Sequence, residues 1–176
     1  MVGRESSMPL ASGAGPGTSG SSADSRSFSA RILQENRYLV KVEFSNPQLP
    51  PFRADEPPPL GGGQGPSPAE TLAAAIGECM TSTFYNALER ARVPVTPIET
   101  VVTGTVGQNP QGRLRVVGLK VQIRCSPVDP QDQARFDHCR AIFEDFCTVS
   151  AAVKDGIPIS TEVGPSPGPG APGASG

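Results

Sequence analysis

Residues 60–93 constrain the fold more than any other stretch, because a loop, a helix start and a long apolar stripe follow one another there. Gly61, Gly62 and Gly63 tolerate backbone angles closed to other residues, and Pro66 and Pro68 then fix φ, so a tight loop ends abruptly. Ser67 is a natural N-cap, Pro68 suits the first helical position, and Glu70 follows the serine by three residues, the pattern of a capping box. Leu72, Ile76, Cys79, Met80, Thr83, Phe84, Ala87, Leu88 and Ala91 recur at helical spacing, which predicts one broad buried face with Cys79 in its middle. Pro94 disfavours helical angles in the residue before it and predicts a helix end near Val93.

The segments around this helix alternate without a strict β-α rhythm. Phe28 to Leu33 and Tyr38 to Phe44 are short apolar runs joined by Gln34-Glu35-Asn36-Arg37, which predicts a strand, a turn carrying Arg37, and a strand. Asn46 to Pro59 holds six prolines and is expected to be extended and irregular. After the helix come a strand over Ile98 to Val106, a turn over Gly107 to Gly112, and a strand over Leu114 to Arg124 whose alternation slips at Gly118, the mark of a bulge. Asp129-Pro130 opens a second helix, with Phe136, Cys139, Ile142, Phe143 and Phe146 as its apolar positions, that stops near Cys147. A break over Cys147 to Ser150, a short helical turn over Ala151 to Lys154, a C-cap at Gly156 and a last strand over Ile157 to Val163 complete the order. The fold class expected is α+β rather than a doubly wound sheet.

A chain of 176 residues allows one domain. Residues 1–26 and 164–176 are dominated by Gly, Ser, Ala and Pro and are expected to be disordered tails, which leaves 27–163 as the folded domain. A formal net charge of −2 offers no electrostatic footprint for nucleic acid or an anionic membrane. The N-terminus lacks the apolar core of a signal peptide and no apolar run approaches membrane-spanning length, so the expected address is cytoplasmic. In that compartment the four cysteines are expected as thiols, and their spacing matches no zinc or C-x-x-C motif. No cofactor or metal is expected.

Cys79 has two readings: a packed thiol, the commoner fate of a cysteine on an apolar helix face, or a nucleophile that needs a nearby cation to ionise. Arg37 and Arg53 are the cations upstream, and either is also at home as a solvated side chain. Glu70 is a capping acid first. Glu70 and Cys79 stand about 13.5 Å apart along one helix and on roughly opposite faces, so if both line one site the glutamate comes from a second subunit. His138 is the only histidine, and a Cys–His hydrolase would have to use it. Cys125 and Cys139 look structural, whereas Cys147 stands where a helix gives way to an irregular segment, open to packing or to chemistry.

Asp55-Glu56-Pro57, Gly61-Gly62-Gly63, Gly65-Pro66-Ser67-Pro68-Ala69-Glu70, Leu72 to Cys79 and, later, Cys147-Thr148-Val149-Ser150 together form a pattern that resembles the OsmC/Ohr family of osmotically inducible and organic hydroperoxide resistance proteins. The resemblance covers roughly residues 28–163. It implies an α+β fold in which two long helices pack centrally in an intertwined homodimer flanked by antiparallel sheets. It implies further a peroxidatic cysteine matched by Cys79, a resolving cysteine matched by Cys147, an activating arginine matched by Arg37, an acidic partner at the position of Glu70, and reduction by dithiols of the dihydrolipoyl kind. Two departures stand out. Ala69 holds the place of the glutamate found in the hydroperoxide members, and a one-residue shift to Glu70 turns the side chain by about 100°. Thr148 follows Cys147 where proline is common.

The reading that results is a cytoplasmic homodimeric thiol peroxidase that reduces organic or fatty-acid-like hydroperoxides through Cys79 and Cys147, with Phe52, Phe84, Phe143 and Phe146 as a candidate apolar wall. Its rival is a non-catalytic module that binds a small acyl or aromatic ligand.

Overall fold

Ser67 and Glu70 close the cap on which the first helix, α1 (Pro68–Arg90), is built. The Ser67 N–H donates to Glu70 Oε2 at 2.7 Å, and Ser67 Oγ accepts from the Glu70 N–H at 3.3 Å. The far end closes earlier than Pro94 suggests. Arg92 takes a left-handed φ of 56°, its N–H donates to the Glu89 carbonyl at 3.0 Å and the Val93 N–H reaches back to Leu88 at 3.0 Å. This is a Schellman closure with an arginine in the usual glycine position.

The computed structural model describes residues 25–165, so the two expected tails fall almost wholly outside the described residues. Before α1, strands β1 (Ala30–Asn36) and β2 (Leu39–Phe44) form the expected hairpin, and Arg37 occupies its turn at φ 47°. The proline-rich stretch is not wholly irregular: β3 (Phe52–Ala54) pairs antiparallel with β2, Val40 opposite Ala54, in the gap between proline pairs where the backbone can still pair. After α1, β4 (Glu99–Gln108) and β5 (Leu114–Arg124) form a second antiparallel sheet. Its register slips where Thr105 faces Gly118 but Val106 faces Val116, so the expected bulge is there and Val117 is the extra residue.

The second helical stretch begins with a 3₁₀ turn at Pro130–Asp132, continues as α2 (Gln133–Ile142) and tightens to 3₁₀ over Phe143–Phe146. The break expected over Cys147 to Ser150 is narrower: Cys147 itself is the N-cap of α3 (Thr148–Asp155), and Gly156 at φ 78° ends it. The last strand is not formed. Among the described residues, 157–163 have no ladder partner, and Ile159 is 88% and Val163 95% exposed.

One face of α1, carrying Ile76, Met80, Phe84 and Leu88, packs on Phe136, Cys139, Phe143 and Cys147 to make the core. Phe84 stacks 4.9 Å from Phe143 and meets Phe136 edge-on at 5.7 Å. The other face crosses β4 at Gly77, and Thr81 Oγ1 meets Thr100 Oγ1 at 2.6 Å. The sheet β1-β2-β3 packs on none of this. Its strands contact chiefly one another, and the Asp55 N–H to Pro66 carbonyl bond of 3.2 Å ties it to the entry of α1.

Candidate functional site

The α1 face that buries Phe84 also carries Cys79 one turn earlier, and the start of α3 brings Cys147 against it. The two sulfurs lie 3.1 Å apart, about 1 Å more than a disulfide bond. Both are free thiols; Cys79 is half-buried and Cys147 has no accessible surface. A molecule arriving from solvent therefore meets Cys79 first and finds Cys147 directly behind it.

The N-terminus of α3 supplies donors to both sulfurs, the Val149 N–H to Cys79 and the Ser150 N–H to Cys147, so the partial positive end of that helix faces the pair. Thr83, one turn along α1 from Cys79, adds a smaller influence that lowers both thiols. Burial, the largest influence, pushes the Cys79 thiol up, and Cys147 beside it adds to that. Burial is also the largest single influence on Cys147 and acts upward, but the Ser150 hydroxyl, Cys79, the Ser150 N–H and Thr83 together outweigh it and hold Cys147 down. By position the hydrogen bond runs from Cys147 to Cys79, whereas these donors favour the proton on Cys79.

Within one chain the other site candidates lie elsewhere. Arg37 lines a cavity of about 240 Å³ with Tyr38, Asp55, Gly61 and Gly62, and Cys79 is not among its walls. Arg53 pairs with Glu35 at 2.8 Å. Glu70 is held in the cap and faces the cleft between α1 and β4, beside Gly77 and Thr100. No guanidinium is among the groups that act on Cys79. His138 is exposed on α2 and lines a separate apolar pocket of about 430 Å³ with Ile142, Phe143 and Phe146, with Thr83 also among its walls. The four phenylalanines do not form one wall: Phe84 is core, Phe52 stacks on Phe44 in the hairpin sheet, and Phe143 and Phe146 alone share the pocket.

Thr83, Ser150 and Asp55 stand in segments singled out from the sequence, which gave them no role at the site. Thr83 gave a signal, a polar residue four positions after a cysteine within an apolar stripe. Asp55 gave a fainter one, an acid just before a glycine loop whose N–H groups need acceptors.

Residues 61–162 match the protein family described as OsmC-like protein. No curated protein matches the chain. Among solved structures, an OsmC-like protein of unknown function from Vibrio cholerae superposes with a TM-score of 0.62 at 18% identity, over 74% of this chain and 95% of that one. An OsmC-like protein from Mycoplasma pneumoniae gives 0.62 at 11% identity over 73% and 88%. An organic hydroperoxide resistance protein from Legionella pneumophila gives 0.53 at 17% over 73% and 90%. At these identities the likeness is one of fold.

Proposed function

The chain belongs to the OsmC-like family, and on that premise we propose that it is a thiol peroxidase that reduces organic hydroperoxides, with Cys79 as the attacking group and Cys147 as its resolving partner. The observation that carries this reading is the stacking of a half-buried thiol on a fully buried one at 3.1 Å. The Cys79 thiolate attacks the terminal oxygen of R–O–O–H, the O–O bond breaks, and the departing alkoxide takes a proton to leave as the alcohol. Cys79 is then a sulfenic acid. The Cys147 sulfur attacks it, the S–O bond breaks, and the hydroxyl leaves as water while a Cys79–Cys147 disulfide forms. An external dithiol, of the lipoyl type, attacks the disulfide and returns both thiols.

The apolar pocket walled by Ile142, Phe143 and Phe146 suits the organic part of such a substrate better than it suits water or hydrogen peroxide. The raised Cys79 thiol needs a cation to ionise, and among the described residues of one chain none acts on it. The free hairpin sheet accounts for the shortfall if two chains pair, each laying its Arg37 turn over its partner's Cys79. The second reading, a ligand-binding module, draws on the same raised thiol.

One turnover of the reduced protein with a stoichiometric organic hydroperoxide, followed by intact mass and peptide mapping, separates the two. The peroxidase gives a Cys79–Cys147 disulfide within seconds, and Cys79→Ser abolishes it. Both thiols still free after minutes would leave the binding module.

A further inference from the structure

Asp55 is 3% exposed, yet only one of its carboxylate oxygens is used. Oδ2 accepts from the Gly62 N–H at 2.9 Å and the Gln64 N–H at 3.2 Å, which pins the glycine loop. Oδ1 is buried without a hydrogen-bond partner among the described residues. A buried carboxylate oxygen left alone costs far more than one that is paired, so such an orphan calls for an occupant. Asp55 lines the cavity of about 240 Å³ that Arg37 also lines. Gly61 packs directly against the carboxylate, since a Cβ there would collide with Oδ1 and with the Glu56 carbonyl.

The sheet register brings the two charges to one place. Val40 faces Ala54, so the next residues along each strand, Leu39 and Asp55, run side by side, and Arg37 lines the same cavity as Asp55. Arg37 makes no ion pair among the described residues, and its backbone is fixed by a left-handed turn whose carbonyl accepts from Gln34 Nε2 at 2.6 Å. Glu70 gives one oxygen, Oε2, to the Ser67 N–H and hydroxyl, and it lines a different cleft from Arg37.

We propose that Asp55 is the positioning acid for Arg37: Oδ1 takes the guanidinium, and the N–H groups left over are aimed outward at a thiolate. Two short oxygens on one carboxylate thereby couple the glycine loop at the entry of α1 to the arginine of the hairpin turn. A guanidinium has five donors in a rigid fork, enough to hold Oδ1 and still face a sulfur. The role in thiol activation rests on the peroxidase reading above; the Asp55–Arg37 pair itself does not.

The test is a double-mutant cycle of Asp55→Asn and Arg37→Ala, read in two ways. Asn keeps an acceptor for Gly62 and Gln64 but removes the charge facing Arg37. In the full-length protein, Asp55→Asn lowers the thermal midpoint and slows iodoacetamide alkylation of Cys79 at neutral pH by about tenfold, and neither effect persists in the Arg37→Ala background. Equal effects of Asp55→Asn in both backgrounds would mean that the carboxylate serves the loop alone, and the proposal fails. Coupled midpoints without any peroxide turnover in the wild type would sink the peroxidase reading and leave the pair standing. Should Asp55→Asn not fold, Arg37→Ala decides alone: a midpoint lowered by several degrees supports a buried carboxylate stripped of its partner, and an unchanged midpoint at this exposed side chain overturns it.

Discussion

One oxygen of the Glu70 carboxylate, Oε2, accepts from Ser67 twice, at 2.7 and 2.8 Å. Bonds from the Ser67 N–H and hydroxyl hold Glu70 below the usual glutamate value of 4.5. A group lowered on folding contributes stability that is present above its unfolded value and lost as the pH falls through the folded one. Thermal midpoints of the wild type should therefore drop on acidification more than those of Glu70→Gln, which has no charge to lose. Ser67→Ala removes the acceptor for the Glu70 N–H and should cost about 1 kcal/mol, read by thermal or denaturant unfolding. A cap that contributes nothing measurable would reopen Glu70 as a ligand for an arginine.

Where α1 crosses β4, the absence of a side chain sets the distance between the two elements. A Cβ at Gly77 would lie 2.8 Å from Val102 Cγ2, and a β-branched valine has little rotamer freedom with which to retreat. Gly77→Ala gains about 1 kcal/mol of helix propensity, against about 1–3 kcal/mol of overpacking. The net expected is a loss of up to about 2 kcal/mol, again by unfolding. In a Val102→Ala background the clash is gone and the same substitution should stabilise. A loss that persists there would place the strain elsewhere. Gly77 was silent in the sequence, where it stood within an apolar run; only the docked strand gives it a role. What was legible were local signals: the Ser67–Glu70 cap, the β1–β2 turn at Arg37, the bulge beside Gly118 and the Asp129-Pro130 start. The misses turned on partners distant in sequence. β3 exists because β2 offers it an edge, and residues 157–163, apolar enough for a strand, find none. At the site, alternation and spacing could not bring Cys79 and Cys147 together; the family resemblance paired them, and the structure puts them at 3.1 Å.

The whole chain leaves surface that one copy does not cover. The hairpin sheet packs on neither helix nor second sheet, Ile32 on β1 is 58% exposed, and Phe146 at the mouth of the apolar pocket is 69% exposed. On the peroxidase reading proposed above, open apolar groups and a thiol without a cation would both be answered by a second copy that covers the first and supplies the charge. If Arg37 serves the partner's Cys79, two inactive chains can repair each other. Cys79→Ser retains the arginine and Arg37→Ala retains the thiol, so a heterodimer of the two holds one complete site and one site lacking both groups. Unfolding and refolding an equal mixture makes about half of the dimers mixed, each with one working site of two, and restores about a quarter of wild-type turnover. Each variant refolded alone should stay near background. An arginine acting on the cysteine of its own chain gives no such rescue, since every site in the mixture then lacks one of the two groups. Sedimentation of the same samples shows whether dimers formed at all, so a failed rescue in a dimeric mixture would count against the shared site and not against assembly.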